Sequence, residues 1–310
     1  MQVTGRVLVC DSIDQSGINT LKHAGMTVDY NPEIKAEELV SRVPAYDVIV
    51  VRSRTKVTDK VIAAAANVKI IARVGVGLDN IDVEAAKARK IKVINAPEAA
   101  MNAVSELAIG LMISLVRNIP RADTETKKGN WIKKDLMGTE LKGKYLGIIG
   151  VGNIGRNLGR IAKAMRMNLI GYDPYPISHD YVKEVNLIVT DLKTLVESSD
   201  FISCHVPSTP ETRHMFNADL LSKMKPTAYL VNTSRGDVID EKALYNALKE
   251  GKIAGAALDV FEIEPPSASN LLTLPNFICT PHIGAQTKEA QELASTVIAE
   301  KIVQILRGIV

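Results

Sequence analysis

The chain has 310 residues, enough for two domains that each bury a core. Hydrophobic residues make up 46% and charged residues 24%, ordinary usage for a soluble protein, and no apolar run approaches the ~20 residues that span a bilayer, so no membrane partner is expected. The net charge of +3 is spread along the chain and aromatic residues are only 4%, which leaves neither a basic stripe nor a stacking platform for nucleic acid.

The N-terminal "MQVTGRVLVCDS" becomes a strand pattern almost at once, with no charged segment followed by a long apolar region; no secretion signal is read and a cytoplasmic protein is expected. Short β-rich runs come next, "RVLVCD", "MTVDY", "DVIVVR", "KIIARV" and "KVINA", separated by helical stretches such as "SGINTLKHAG" and "VEAAKARK". This βαβ punctuation predicts a parallel sheet covered on both faces. "AVSELAIGLMISLVRNI", 103–119, reads as one long buried helix closed by Pro120. After the polar "RADTETKKGNWIKKDLMGTELKGK" the alternation restarts with "YLGIIGVG", a helix from Asn153, "NLIGYD", "DFISCHVP", "TAYLVNTS", a helix from Asp240, "AGAALDV" and "NFICTPHI". An amphipathic helix over 286–307 ends the pattern and is expected to return to the first domain. Cys10, Cys204 and Cys279 lack any C-x-x-C spacing and lie in or beside apolar runs, so they read as buried reduced thiols, not as a disulfide framework or a metal site.

In "IIGVGNIGRNLGR" the residues Gly150, Gly152 and Gly155 satisfy G-x-G-x-x-G between a strand and a helix, the context in which the motif signals a dinucleotide. The first glycine permits the tight turn, the second lets a pyrophosphate approach the backbone, and the third lets helix and strand pack closely. The next strand ends in Asp173, 18 residues past Gly155, where a carboxylate binds both ribose hydroxyls and repels a 2′-phosphate. The expected cofactor is NAD.

Ligands of open α/β sheets bind beyond the carboxyl ends of the strands. There "AYLVNTSRGDVID" puts Arg235, "AALDVFEIEPP" puts Asp259 and Glu264, and "FICTPHIGA" puts His282. Singly, each has a bland reading as a surface or loop residue. Together they match the needs of ketone reduction: histidine supplies the proton, a carboxylate stabilises the imidazolium, and a guanidinium holds a substrate carboxylate or polarises the carbonyl.

The stretches "IIGVGNIG", "NTSRGDVIDEKAL", "GAALDVFEIEPP" and "CTPHIGAQTKEAQ" resemble the D-isomer-specific 2-hydroxyacid dehydrogenases over nearly the whole chain, most nearly the members that act on a phosphorylated 2-hydroxy acid. The resemblance implies a Rossmann NAD-binding domain, 99–284, inserted into a flavodoxin-like substrate domain formed by 1–98 and 285–310. It implies that Arg235 binds the substrate, that Glu264 supports His282, and that His282 is the acid/base. It further implies cofactor contacts at Asn153, Ile154, Asp173, Val206, Thr233 and Asp259, and homodimers formed through the cofactor domain. The first glycine-rich loop, "ARVGVG", becomes a substrate loop whose amides at Val76 and Gly77 hold the carboxylate, with Arg73 and Arg52 as phosphate ligands. Arg54 is a weaker phosphate candidate. The implied reaction is NAD-dependent oxidation of 3-phosphoglycerate to 3-phosphohydroxypyruvate, which opens serine biosynthesis.

Two departures from the family pattern stand out. Ala100 occupies a position that is often Asn or Ser, a contact that Asn102 could supply, and the chain ends at "VQILRGIV", so regulation by serine through a C-terminal domain is not expected. His205 and His214 read as structural, His23 and His179 as surface residues. The nearest rival is a glyoxylate or hydroxypyruvate reductase, discriminated by Arg73. From a different class comes a cofactor-sensing corepressor on the same scaffold. Formate and phosphonate dehydrogenases lack support because nothing resembles their extra substrate residues.

Overall fold

A computed structural model describes residues 4–308, and the chain divides into two compact units, 1–101 with 285–310, and 102–284. The first crossing lies three residues beyond the expected 98/99 boundary, where the helix Met101–Val116 starts.

Unit 1 holds five parallel strands, β1 (Arg6–Val9), β2 (Thr27–Tyr30), β3 (Val48–Val51), β4 (Ile70–Arg73) and β5 (Lys92–Asn95), in the order β2-β1-β3-β4-β5. This is the flavodoxin-like order, with its switch point between β1 and β3. The run Val48-Ile49-Val50-Val51 is buried throughout, because helices cover both faces and neither side of the strand meets water. The helix Lys288–Leu306 belongs to this unit, capped by Thr287, whose hydroxyl accepts from the Ala290 N–H at 3.2 Å. Its buried stripe of Ala290, Ala294, Ile298 and Ile302 has helical spacing, and Ser295 Oγ accepts from the Asp14 N–H at 3.0 Å, tying it to the entrance of the helix Gln15–His23.

Unit 2 holds seven parallel strands, β6 (Tyr145–Ile149), β7 (Asn168–Tyr172), β8 (Ile188–Val189), β9 (Phe201–Cys204), β10 (Tyr229–Asn232), β11 (Gly255–Leu258) and β12 (Phe277–Cys279), in the order β12-β11-β10-β9-β6-β7-β8. The chain winds one way from β6 through β8 and the other way from β9 through β12, which is the doubly wound Rossmann arrangement with its switch point between β6 and β9. The expected doubly wound parallel sheets are thus both present.

The expected single helix over 103–119 is instead two. Met101–Val116 is buried along most of its length, the chain bends by 63° at Asn118 in left-handed conformation (φ 51°), and Ile119–Lys127 forms a second helix. Pro120 sits in the first turn of this second helix, where its missing N–H leaves no hydrogen bond unmade. Among the described residues no single helix is long and apolar enough to cross a membrane.

Candidate active site

The glycine loop comes directly after β6 at the switch point of unit 2. Gly150 has φ 89°, and a Cβ there would lie 2.7 Å from the carbonyl of His205, so both conformation and space demand glycine. A Cβ on Gly155 would meet the Gly150 carbonyl oxygen at 2.1 Å, which shows how closely helix and loop approach. Gly152, by contrast, faces open space and caps the helix Asn153–Ala164, the geometry that leaves room for a phosphate at a helix N-terminus. Asn153 and Ile154 open that helix, and the Ile154 carbonyl accepts from Ser105 Oγ at 3.2 Å. Asp173 sits just past β7: Oδ2 accepts from the Val151 N–H at 2.7 Å and Oδ1 from the Tyr175 N–H at 2.9 Å, which fixes the carboxylate beside the loop. Val206 is buried, and Thr233 carries a buried Oγ1 without a hydrogen-bond partner. A buried unpaired hydroxyl is costly unless a ligand satisfies it, so the cradle fits a bound NAD.

Past β10, buried Asn232 builds the turn that presents Arg235. Its Oδ1 accepts from the N–H and hydroxyl of Ser234 at 3.0 and 2.7 Å, and its Nδ2 donates to the Arg235 carbonyl at 2.8 Å. The Arg235 guanidinium donates to the Ser234 carbonyl through Nη1 at 2.7 Å. Past β11, the Asp259 carboxylate, 1% exposed, accepts from Thr280 Oγ1 at 2.6 Å and from the Ile283 and Gly284 N–H groups at 2.8 Å each, while its carbonyl accepts from the His282 N–H at 2.8 Å. Asp259 therefore shapes the loop that carries His282. His282 has φ 53°, an uncommon state for a non-glycine residue that this web of bonds holds.

The His282 imidazole meets Glu264: Nδ1 lies 2.8 Å from Oε2 and 3.1 Å from Oε1. An ionised carboxylate only accepts, so beside it Nδ1 carries the proton and Nε2 keeps its lone pair. Glu264 Oε1 also accepts from the Phe261 N–H at 3.2 Å.

In unit 1 the turn after β4 has Gly75 at φ 143°, a conformation open to glycine alone, ahead of Val76 and Gly77. Asn95 braces it by donating to the Val76 carbonyl at 2.6 Å. Arg73 folds back over Gly75 and donates through Nη1 to the Val74 carbonyl at 3.0 Å. Arg52 stands at the β1/β3 switch point, its N–H donating to Asp11 Oδ2 and its Nη2 to Gln286 Oε1, both at 2.5 Å; burial lowers its pKa below the usual arginine value. Arg54 is committed to the structure: it donates to the carbonyls of Cys10, Pro32 and Ile34 and pairs with Asp11 at 3.3 Å.

Several other expected residues have defined places. Asn102 Oδ1 accepts from Asn157 Nδ2 at 3.1 Å, and Ala100 is buried. Cys10 and Cys204 are buried and desolvation raises both thiols, Cys10 to about 12, but Cys279 is exposed because it ends the edge strand β12, a correction to the reading of three buried thiols. His23 and His179 are exposed. His214 is hydrogen-bonded to Glu262 at 3.0 Å and its side chain is 40% exposed, a pairing that the sequence pattern does not reveal because the partner lies 48 residues away. Asn232 is a further residue the sequence reading passes over, although an amide ending a strand before "TSRG" is a turn signal.

Residues 109–284 match the model of the D-isomer specific 2-hydroxyacid dehydrogenase, NAD binding domain. The chain is 49% identical over 98% of its length to a D-3-phosphoglycerate dehydrogenase of Methanocaldococcus jannaschii, covering 58% of that protein. It is 47% identical to a hydroxypyruvate reductase of Thermotoga maritima, over 96% of this chain and 97% of the relative. A glyoxylate reductase from Paecilomyes thermophila superposes with a TM-score of 0.90 at 30% identity, covering 98% of this chain and 95% of that one. The chain belongs to the D-isomer-specific 2-hydroxyacid dehydrogenase family, and unit 2 is its NAD-binding domain. Among phosphoglycerate dehydrogenases it is similar to several at 45–49% identity, and it spans a little over half the length of each.

Proposed function

We propose that the chain oxidises D-3-phosphoglycerate to 3-phosphohydroxypyruvate, the first step of serine biosynthesis. The observation that carries this reading is the Glu264–His282 pair at 2.8 Å, in a loop held by Asp259 beyond the NAD cradle. NAD, when bound, supplies the hydride acceptor. His282 Nε2 removes the proton of the substrate hydroxyl as the hydride leaves the carbon, and returns one in the reverse direction. Glu264 stabilises the imidazolium so formed. Arg235 neutralises the substrate carboxylate and draws charge onto the carbonyl oxygen as it develops. In unit 1, the amides of Val76 and Gly77 are assigned to the carboxylate and the guanidinium groups of Arg52 and Arg73 to the phosphate. The nicotinamide cofactor is held by the glycine loop, Asn153, Ile154, Asp173, Val206, Thr233 and Asp259. Asp173 selects NAD over NADP.

The partner is a small phosphorylated 2-hydroxy acid, with no role for nucleic acid or membrane, and the protein works in the cytoplasm. Unpaired thiols support a reducing compartment. It forms a homodimer through unit 2, a reading supported by Trp131 and Met137, which are 82% and 90% exposed on the segment after the helix Ile119–Lys127.

A second reading, hydroxypyruvate or glyoxylate reductase, is favoured by the Thermotoga relative and by the Arg73 guanidinium, which bonds within its own loop. Comparing kcat/KM for 3-phosphohydroxypyruvate, hydroxypyruvate and glyoxylate with NADH decides between the two. A clear preference for the phosphorylated acid upholds the first reading, and a preference for either small acid replaces it. Turnover of any of the three excludes a purely sensing corepressor.

A further inference from the structure

Glu264 and His282 are 41% and 54% exposed at their side chains, so burial does not hold their mutual geometry. What holds Glu264 is the backbone it bonds, the Phe261 N–H. The next residue, Glu262, is pinned from three sides. Its Oε1 accepts from the Glu241 N–H at 3.0 Å, its own N–H donates to Glu241 Oε1 at 2.8 Å, and its Oε2 accepts from His214 Nε2 at 3.0 Å. Glu241 is steadied in turn by the Ser269 hydroxyl at 3.0 Å.

His214 reaches the other catalytic loop as well. It adopts φ 48°, and its N–H donates at 2.7 Å to the carbonyl of Asp237, two residues beyond Arg235. The two loops touch directly, since a Cβ on Gly236 would lie 1.9 Å from the Phe261 carbonyl carbon. One residue in an uncommon backbone state thus bonds the Arg235 loop through its main chain and the Glu264 loop through its side chain. A non-glycine residue persists in that state only where its surroundings hold it there, and such positions cluster at working sites.

We propose that His214 and Glu262 form a clamp that positions Glu264, and through it the His282 imidazole, for proton transfer. The clamp rests on the assignment of His282 as acid/base made above. His214 and Glu262 are positioning residues that touch neither substrate nor cofactor. Catalytic geometry is steep in distance, and a displacement of about 1 Å is enough to cost up to a hundredfold in rate.

The test is a double-mutant comparison. His214→Asn keeps a residue that tolerates the left-handed backbone but is too short to reach Glu262. It is made in the native protein and in Glu264→Gln, and kcat is measured for NADH-linked reduction of 3-phosphohydroxypyruvate and of hydroxypyruvate. In the native background His214→Asn lowers kcat about tenfold while the dissociation constant for NADH is unchanged; in the Glu264→Gln background it lowers kcat by less than about twofold, because the group it positions is already disabled. Glu262→Gln repeats the comparison should His214→Asn fail to fold. Equal losses in both backgrounds indicate a merely structural role and overturn the clamp, as does an unchanged kcat in the native background. If Glu264→Gln costs activity and His214→Asn costs none, the clamp alone falls. If Glu264→Gln costs nothing, Glu264 does not support His282 and the clamp falls with it, while His282→Asn reads the acid/base role separately.

Discussion

Replacing His205 by glutamine tests whether the nucleotide half of the protein is acid-sensitive for one identifiable reason. His205 lies just past β9, and its carbonyl packs against Gly150 in the cofactor loop. The ring meets Ser203 Oγ through Nε2 at 2.9 Å, while Nδ1 is shielded from water and unpartnered. Desolvation opposes the charged ring and lowers its pKa from the usual 6.5 to about 4. The folded state therefore binds fewer protons than the unfolded state between those values, and stability falls as pH drops through that window. At about 1.4 kcal/mol per tenfold change in proton affinity, the loss is near zero at pH 7, about 2 kcal/mol at pH 5 and about 3 kcal/mol below pH 4. The residue keeps some solvent contact, which makes these upper values. Urea unfolding followed by circular dichroism at pH 7 and pH 5, on the native protein and on His205→Gln, reads the difference; glutamine can still reach Ser203 but does not titrate. The native protein should lose about 2 kcal/mol more than the variant between the two pH values. Parallel losses would refute the argument and move the acid sensitivity elsewhere.

Three further substitutions address the proposed chemistry. His282→Asn should lower kcat at least about a hundredfold with little change in NADH affinity, the usual effect of removing a general acid, and near-native turnover would remove His282 from that role. Asp173→Ala should weaken NAD and narrow its advantage over NADP, since it deletes both the ribose acceptor and the charge that repels a 2′-phosphate; equal kcat/KM for the two cofactors in the native protein would refute the assignment. Arg73→Ala should reduce kcat/KM for 3-phosphohydroxypyruvate by about ten- to a hundredfold, from the ~1.5–3 kcal/mol of a charge-assisted bond, and spare hydroxypyruvate. A loss shared equally by both substrates would assign Arg73 to the Gly75 turn it already touches.

Much of this architecture is legible because α/β proteins write local signals. Strands such as Val48–Val51 are continuous apolar runs, and the glycine spacing between β6 and its helix has a steric cause that the would-be Cβ contacts at Gly150 and Gly155 make explicit. Arg235, Asp259 and His282 are legible because each stands just past the end of a strand, and the ends of adjacent parallel strands share one rim. The same reasoning does not reach features that depend on distant partners. Pro120 is compatible with ending one helix or starting another, and only the left-handed turn at Asn118 selects the second. Cys279 lies in an apolar run, yet its exposure depends on β12 standing at the sheet edge. Arg54 reads as a free cation until carbonyls from residues 10, 32 and 34 close around it.

Asp259 shows how a residue expected to touch the cofactor can be given a second task by geometry. A carboxylate offers about four acceptor positions, and Thr280, Ile283 and Gly284 occupy three of those on Asp259. One position remains for a polar group of the cofactor, which Asp259 is proposed to contact. Each of the three donors lies on the loop that carries His282, so a change at Asp259 should disturb cofactor binding and proton transfer together. Asp259→Asn tests this, because an amide oxygen retains about two of the acceptor positions while Nδ2 confronts at least one N–H donor. The expected outcome is a rise in the NADH dissociation constant together with a fall in kcat of at least about tenfold, the scale of losing one buried charge-assisted bond. A fall in kcat with NADH binding intact would confine Asp259 to shaping the His282 loop and leave the cofactor to other groups.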